Sequence, residues 1–159
     1  MMNFNEFINE ESLESRSAAG VAIIYNNKIL LVHPTGASWQ KGTCGIPKGG
    51  IDPHEDTLDA ALRELKEETG ITLDPSALDK SPEVVVSQHP KKNKLRHLTY
   101  YICRISDLSK IGLTSERVPK DQLQLEEIDW AKFMSAEEAY PIMAQSQLII
   151  LDRHLTLNK

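Results

Sequence analysis

The chain has 159 residues, 40% hydrophobic and 26% charged, with a net charge of -5. That is enough apolar material for one compact domain with a full core and no disulfides. The acidic balance argues against bulk attraction to nucleic acid, and no apolar run approaches the length of a membrane span.

Residues 1–16 are acidic and lack the apolar stretch of a signal peptide, so they read as a polar N-terminal extension to a single domain over residues 17–159. Phe4, Phe7 and Ile8 suit a short amphipathic helix resting on the core. Two β-branched runs, residues 20–25 and 28–33, flank Asn26-Asn27 and form a hairpin. A polar loop over residues 34–45, carrying Trp39, leads into Ile46-Pro47-Lys48. Trp39 is placed to stack on a base. Residues 56–69 form a helix with Leu58, Ala61, Leu62 and Leu65 on one apolar stripe, and Gly70 stands at its C-cap. Asp52 and Asp56 are both adequate N-caps for it. A second hairpin pairs residues 83–88 with 95–105 across a lysine-rich turn. Residues 109–124 are polar loop, residues 125–130 a last strand, and residues 136–139 and 144–155 closing helices punctuated by Pro141. Strands alternating with two or three helices indicate an α/β (α+β) fold, a mixed sheet between helices.

The chemistry is concentrated between Gly49 and Gly70. Glu64, Glu67 and Glu68 are spaced i, i+3, i+4, so they share one helix face, roughly 120° from the leucine stripe. Three neighbouring carboxylates repel and raise at least one pKa. A hard divalent cation, which takes carboxylate, phosphate and water oxygens, removes that repulsion. A solvated acidic face is the bland reading of a lone E-x-x-E-E. Its surroundings here decide otherwise.

Written out, the segment is G-x5-E-x7-R-E-(aliphatic)-x-E-E-x-G-(aliphatic), with every specified position filled. It resembles the signature box of the Nudix hydrolases, enzymes that cleave nucleoside diphosphates linked to another moiety with a divalent metal. The resemblance implies a Nudix-type α/β/α sandwich. It also implies Mg2+, with Mn2+ as a substitute, held by Glu64, Glu67, Glu68 and the backbone carbonyl of Gly49. Arg63 is counted with the catalytic set, although it and Glu55 more often hold loop and helix together than touch substrate. Glu126 or Glu127 could supply a late acidic ligand. The implied reaction is attack of a metal-bound or carboxylate-oriented water on a phosphorus of the pyrophosphate link. Glu64 is the first choice of base, and a Glu outside the box competes.

Substrate is less legible. Lys48 before the box, and Lys91, Lys92, Lys94 and Arg96 at the second hairpin, can clamp phosphate; a turn of lysines is otherwise a solvated loop. The Pro-Lys-Gly lead-in resembles diadenosine-tetraphosphate hydrolases. Val86, Ser87 and Gln88, however, stand where such enzymes often place a Tyr. The expected substrate is therefore a small nucleotide, a dinucleoside polyphosphate first and a nucleoside triphosphate second. A 5'-triphosphate RNA end, an inositol pyrophosphate and a sensing module without turnover are the competing readings. Tyr100 and Tyr101 alternate on a strand, so only one can face a cleft. The five histidines show no ligand spacing. Cys44 and Cys103 are too few for a disulfide framework and form no zinc pattern, which points to reduced thiols in the cytoplasm. A homodimer is compatible with everything above.

Overall fold

The computed structural model describes residues 15–88 and 94–157. Six strands, β1 (Ser15–Tyr25), β2 (Lys28–Pro34), β3 (Lys48–Gly50), β4 (Glu83–Gln88), β5 (Leu95–Ile105) and β6 (Ile128–Met134), build one sheet. The helices are α1 (Thr57–Thr69), α2 (Ala136–Ala139) and α3 (Leu148–His154). The sheet order is β4-β5-β1-β2-β6, with β3 added beside β1. β1 and β5 run parallel along their whole length, and the other pairs are antiparallel. The sheet is mixed, as expected.

Local chemistry accounts for the elements. Asn26 and Asn27 both have positive φ, 50° and 57°, the paired left-handed geometry that closes a two-residue hairpin with the right twist. α1 ends at Gly70, whose φ is 73° and whose N–H returns to the Lys66 carbonyl at 2.9 Å. α2 is held by a reciprocal capping box, with Glu138 N–H donating to Ser135 Oγ and Ser135 N–H donating to Glu138 Oε1, both at 3.2 Å.

Alternation along β1 sorts the core into two layers. Ala19, Val21 and Ile23 meet Ala60, Ala61 and Leu65 of α1. Ala22 and Ile24 face the opposite side, with Leu31 and with Ile150 and Leu151 of α3. Burial of each large aliphatic side chain stabilises by roughly 1.5–3 kcal/mol, so the sheet is clamped from both faces. This is the α/β/α sandwich.

The sheet also divides. The first part of β1 pairs with β3 (Ala18 opposite Gly50, Gly20 opposite Lys48), and its end pairs with β2 (Ile24 opposite Ile29). Where β2 swings away, the chain of residues 44–47 is woven in, with Val32 N–H to Gly45 O at 2.8 Å and Val21 N–H to Pro47 O at 3.2 Å. The cleft opens at this divide.

The box helix starts after Asp56, the later of its two candidate N-caps, while Asp52 to Glu55 is a tight turn closed by Glu55 N–H to Asp52 O at 3.0 Å, with His54 at positive φ. Two expectations need correction. The last strand begins at Ile128, because Glu127 and Ile128 both donate to the Gln124 carbonyl and fold residues 124–127 into a turn. The closing helix begins only at Leu148, after a 3-10 turn at Gln145–Gln147. The tip of the second hairpin, with Lys91 and Lys92, lies outside the described residues.

Candidate active site

Gly49 and Glu64 meet at the contact between β3 and α1. A Cβ on Gly49 would overlap the Glu64 carboxylate, so the helix approaches the loop backbone this closely only because the residue is glycine. Arg63 then ties the box together. Its Nε donates to Glu55 Oε2 at 2.8 Å, and Nη2 donates to Glu55 Oε1 at 2.9 Å and to the Gly50 carbonyl at 3.0 Å. Its Nη1 reaches Glu64 Oε1 at 3.0 Å and Glu67 Oε2 at 3.2 Å. The forked pairing holds the Glu55 carboxyl at about 2, well below its ordinary range. Arg63 and Glu55 thus clamp loop to helix, as the resemblance implied, and Arg63 in addition holds two of the box carboxylates.

Glu68 is the buried member of the trio, 6% exposed. Its Oε2 accepts the Lys48 N–H at 3.0 Å. Burial pushes its carboxyl up to about 8, against the Lys48 hydrogen bond and with help from the charges of Glu64 and Glu127. Glu64 is raised by burial too, opposed by Arg63 and assisted by Glu67 and Glu127. Glu68 lines a cleft of about 490 Å³, open mouth included, with Lys48, Glu127 and Gln147. Glu127 lines this cleft and Glu126 does not. The pattern i, i+3, i+4 therefore put three carboxylates on one face without showing that they differ in depth. Glu67 remains half exposed on the rim.

Among the described residues, no three His, Cys, Asp or Glu side chains converge into a closed metal shell; Arg63 engages Glu64 and Glu67. The donor chemistry still fits a hard divalent cation. The available atoms are carboxylate oxygens and the Gly49 carbonyl, all oxygen, and a cation would offset the cost that burial first, and neighbouring carboxylates second, place on ionised Glu64 and Glu68.

The aromatic and basic expectations divide. Trp39 stacks on His33, with ring centroids 3.8 Å apart and planes 4° apart, and meets Trp130 edge-on. One face of Trp39 is therefore taken by the protein. His33 is buried, with Nδ1 2.6 Å from Asp129 Oδ1 and Nε2 3.1 Å from the Ala37 carbonyl. Its role is to anchor the loop, in keeping with a histidine outside any ligand set. Tyr100 is buried, its hydroxyl donating to Glu83 at 2.7 Å and lying 3.0 Å from His154 Nε2; Tyr101 packs against the α1 layer. Lys48 lines the cleft. Arg96 lines a second cavity that Lys48 and Gln147 also line. Lys94 is half-buried at the foot of β5. Gln147 was missed by sequence reasoning, since a lone Gln in a polar segment carries no signal.

Comparisons with known proteins bear on this geometry. Over 64 residues the chain is 39% identical to an RNA pyrophosphohydrolase of Erythrobacter litoralis (strain HTCC2594), a stretch covering 40% of this chain and 39% of that relative's length. A MutT NUDIX hydrolase from Burkholderia pseudomallei superposes with a TM-score of 0.67 at 20% identity, covering 89% of this chain and 98% of the other. A C. elegans Ap4A hydrolase, in a binary complex, superposes with a TM-score of 0.61 at 23% identity, covering 87% and 93%. At those identities the two structures share the fold. The chain matches the NUDIX domain over residues 14–153, a span that takes in both core layers, the Arg63 clamp and the carboxylate cleft, and it belongs to that family.

Proposed function

We propose that the chain is a divalent-metal-dependent pyrophosphohydrolase that cleaves a phosphoanhydride bond in a nucleoside diphosphate linked to another group. The observation that carries this reading is the placement of Glu68 in a cleft lined also by Lys48 and Glu127, with Glu64 pressed against Gly49. Glu64, Glu67, Glu68 and the Gly49 carbonyl would hold Mg2+, with Mn2+ able to replace it. The metal, when bound, supplies Lewis acidity at the phosphoryl oxygens.

The chain's own residues do the rest. Lys48, at the cleft wall, sets a positive charge beside the bridging phosphates. Glu64, whose pKa is raised by burial, is the carboxylate that takes the proton from the attacking water. Glu127 is the competing base, since it lines the same cleft. Arg63 orients Glu64 and Glu67 from behind.

Dinucleoside polyphosphates and nucleoside triphosphates are the substrates we favour, in line with the Pro-Lys-Gly lead-in. A 5'-triphosphate RNA end is the second reading, supported by the curated relative's activity. Cys44 and Cys103 are buried and free, in keeping with a reducing compartment such as the cytoplasm. Among the described residues, no helix is long and apolar enough to cross a membrane.

The test is a panel of diadenosine polyphosphates, nucleoside triphosphates, ADP-ribose and a triphosphorylated RNA oligomer in Mg2+, with products separated by ion exchange. One class should be cleaved well above the rest, with loss in EDTA. Glu64→Gln should cost about 10²–10⁴-fold in kcat. Full activity in EDTA, or in the Gln variant, would sink the reading.

A further inference from the structure

Next to the carboxylate cleft lies a second cavity of about 460 Å³, open mouth included. Its floor is Ala18, Leu98 and Val85. These residues are paired in register across β1, β5 and β4, so they form a flat apolar strip about 10 Å wide at the usual strand spacing. Lys48 and Gln147 line both cavities and join them into one path.

Gln147 is 4% exposed. Its Oε1 accepts the buried Ile46 N–H at 2.9 Å, which fixes the amide, because a flip would set two donors face to face. The amide lies so close over Gly45 that a Cβ there would come within 2.6 Å of Nε2. Nε2 makes no hydrogen bond to any described residue. Two N–H donors are therefore held at the junction of the cavities with no partner among the described residues.

We infer that Gln147 is a specificity-determining residue, and that with Arg96 it selects a base with a carbonyl at purine C6 or pyrimidine C4 (guanine, hypoxanthine or uracil), lying on the Ala18–Leu98–Val85 floor, over one with an amine there (adenine or cytosine). This rests on the nucleotide-hydrolase reading above. The floor favours a planar ring over a phosphate, since a phosphate gains nothing from three aliphatic side chains. The rim chooses the base edge. Gln147, Arg96 and Lys48 are donors, Ser87, Ser146 and His97 are groups able to donate or accept, and no carboxylate lines the cavity among the described residues. Guanine offers the adjacent acceptors O6 and N7 that a guanidinium reads as a pair, and uracil offers carbonyl oxygens. Adenine and cytosine present an exocyclic amine to the same donors.

The experiment is calorimetric titration, in Mg2+, with α,β-methylene analogues of GTP and ATP, which carry the same phosphates and differ only in the base. The GTP analogue should bind about tenfold tighter or more. Gln147→Glu keeps an oxygen for Ile46 N–H and turns the free donor into an acceptor, so it should move the ratio toward the ATP analogue. Arg96→Ala alters an exposed side chain and serves if the first variant does not fold; it should shrink the ratio. Equal affinities in the unsubstituted protein would overturn the inference. So would equal losses for both analogues in Arg96→Ala, which would assign the rim to the phosphate chain. Hydrolysis of the full substrate panel given under the proposed function is measured alongside. A binding preference without hydrolysis keeps the inference and removes the hydrolase reading, and hydrolysis without a preference does the reverse.

Discussion

Glu68 couples the stability of the metal-free protein to pH. Its carboxyl is raised from the ordinary 4.5 to about 8, chiefly by burial. A group whose folded pKa lies above its unfolded pKa stabilises the fold fully below the unfolded value, and that contribution is lost as pH rises through the folded one. The window here runs from about pH 5 to pH 8. At about 1.4 kcal/mol for each pH unit across the window, the ceiling is of order 5 kcal/mol. Water entry and side-chain rearrangement lower this, and we expect about half. For a domain of this size 1 kcal/mol moves Tm by about 2–4 °C, so the chelated protein should lose roughly 3–7 °C between pH 5.5 and pH 8. Glu55, held at about 2, contributes with the opposite sign but only below this window. Glu68→Gln retains an oxygen for the Lys48 N–H and cannot ionise, so it should flatten the slope. Differential scanning fluorimetry in EDTA, pH by pH, measures both proteins. A slope unchanged in the Gln variant, or no slope in the parent, would refute the assignment.

Gly49→Ala should leave the circular dichroism spectrum near native and cut kcat about 10²-fold, because the new methyl group displaces the Glu64 carboxylate; steady-state kinetics with a near-parental rate would show that this contact has no part in the chemistry. Tyr100→Phe removes the hydroxyl shared by Glu83, Arg153 and His154 and should cost about 1–2 kcal/mol of stability with kcat unchanged, by urea denaturation and by assay.

The box helix was legible because local signals converge there. Its apolar stripe, the stop at Gly70 and the carboxylate spacing all lie within one short stretch, and α1 obeys them. Both hairpins were legible for a similar reason, since each is closed by its own turn or by strands close in sequence. What stayed hidden depends on partners far away. The parallel pairing of β1 with β5 joins Ser15 to Leu95, and nothing local in either strand announces it. The depth of Glu68 depends on the divide between β3 and β2, which no helical periodicity encodes. Trp39 read as a stacking surface for substrate, and the sequence did not show that one face of its ring is laid on His33, a residue that only the β2–β6 register brings to Asp129 and Trp130. Gln147 matters because Ile46 offers it a backbone N–H from a hundred residues away.

β3 is three residues long, and its alternation sends Lys48 and Gly49 to opposite faces of the sheet. Gly49 admits α1 and Glu64 on one side; Lys48 reaches the two cavities on the other. A single-residue insertion or deletion between Pro47 and Gly50 would exchange these roles, setting a long cation against the helix and a bare glycine in the cleft. Length variation is far better tolerated just upstream. The loop of residues 35–43 begins and ends beside the reciprocal Val32–Gly45 hydrogen bonds, so a change of length that keeps Ala37 and Trp39 on His33 leaves the register in place. In this architecture the freedom to change what is bound and the obligation to keep the chemistry sit within a few residues of one another, separated by one pair of backbone hydrogen bonds.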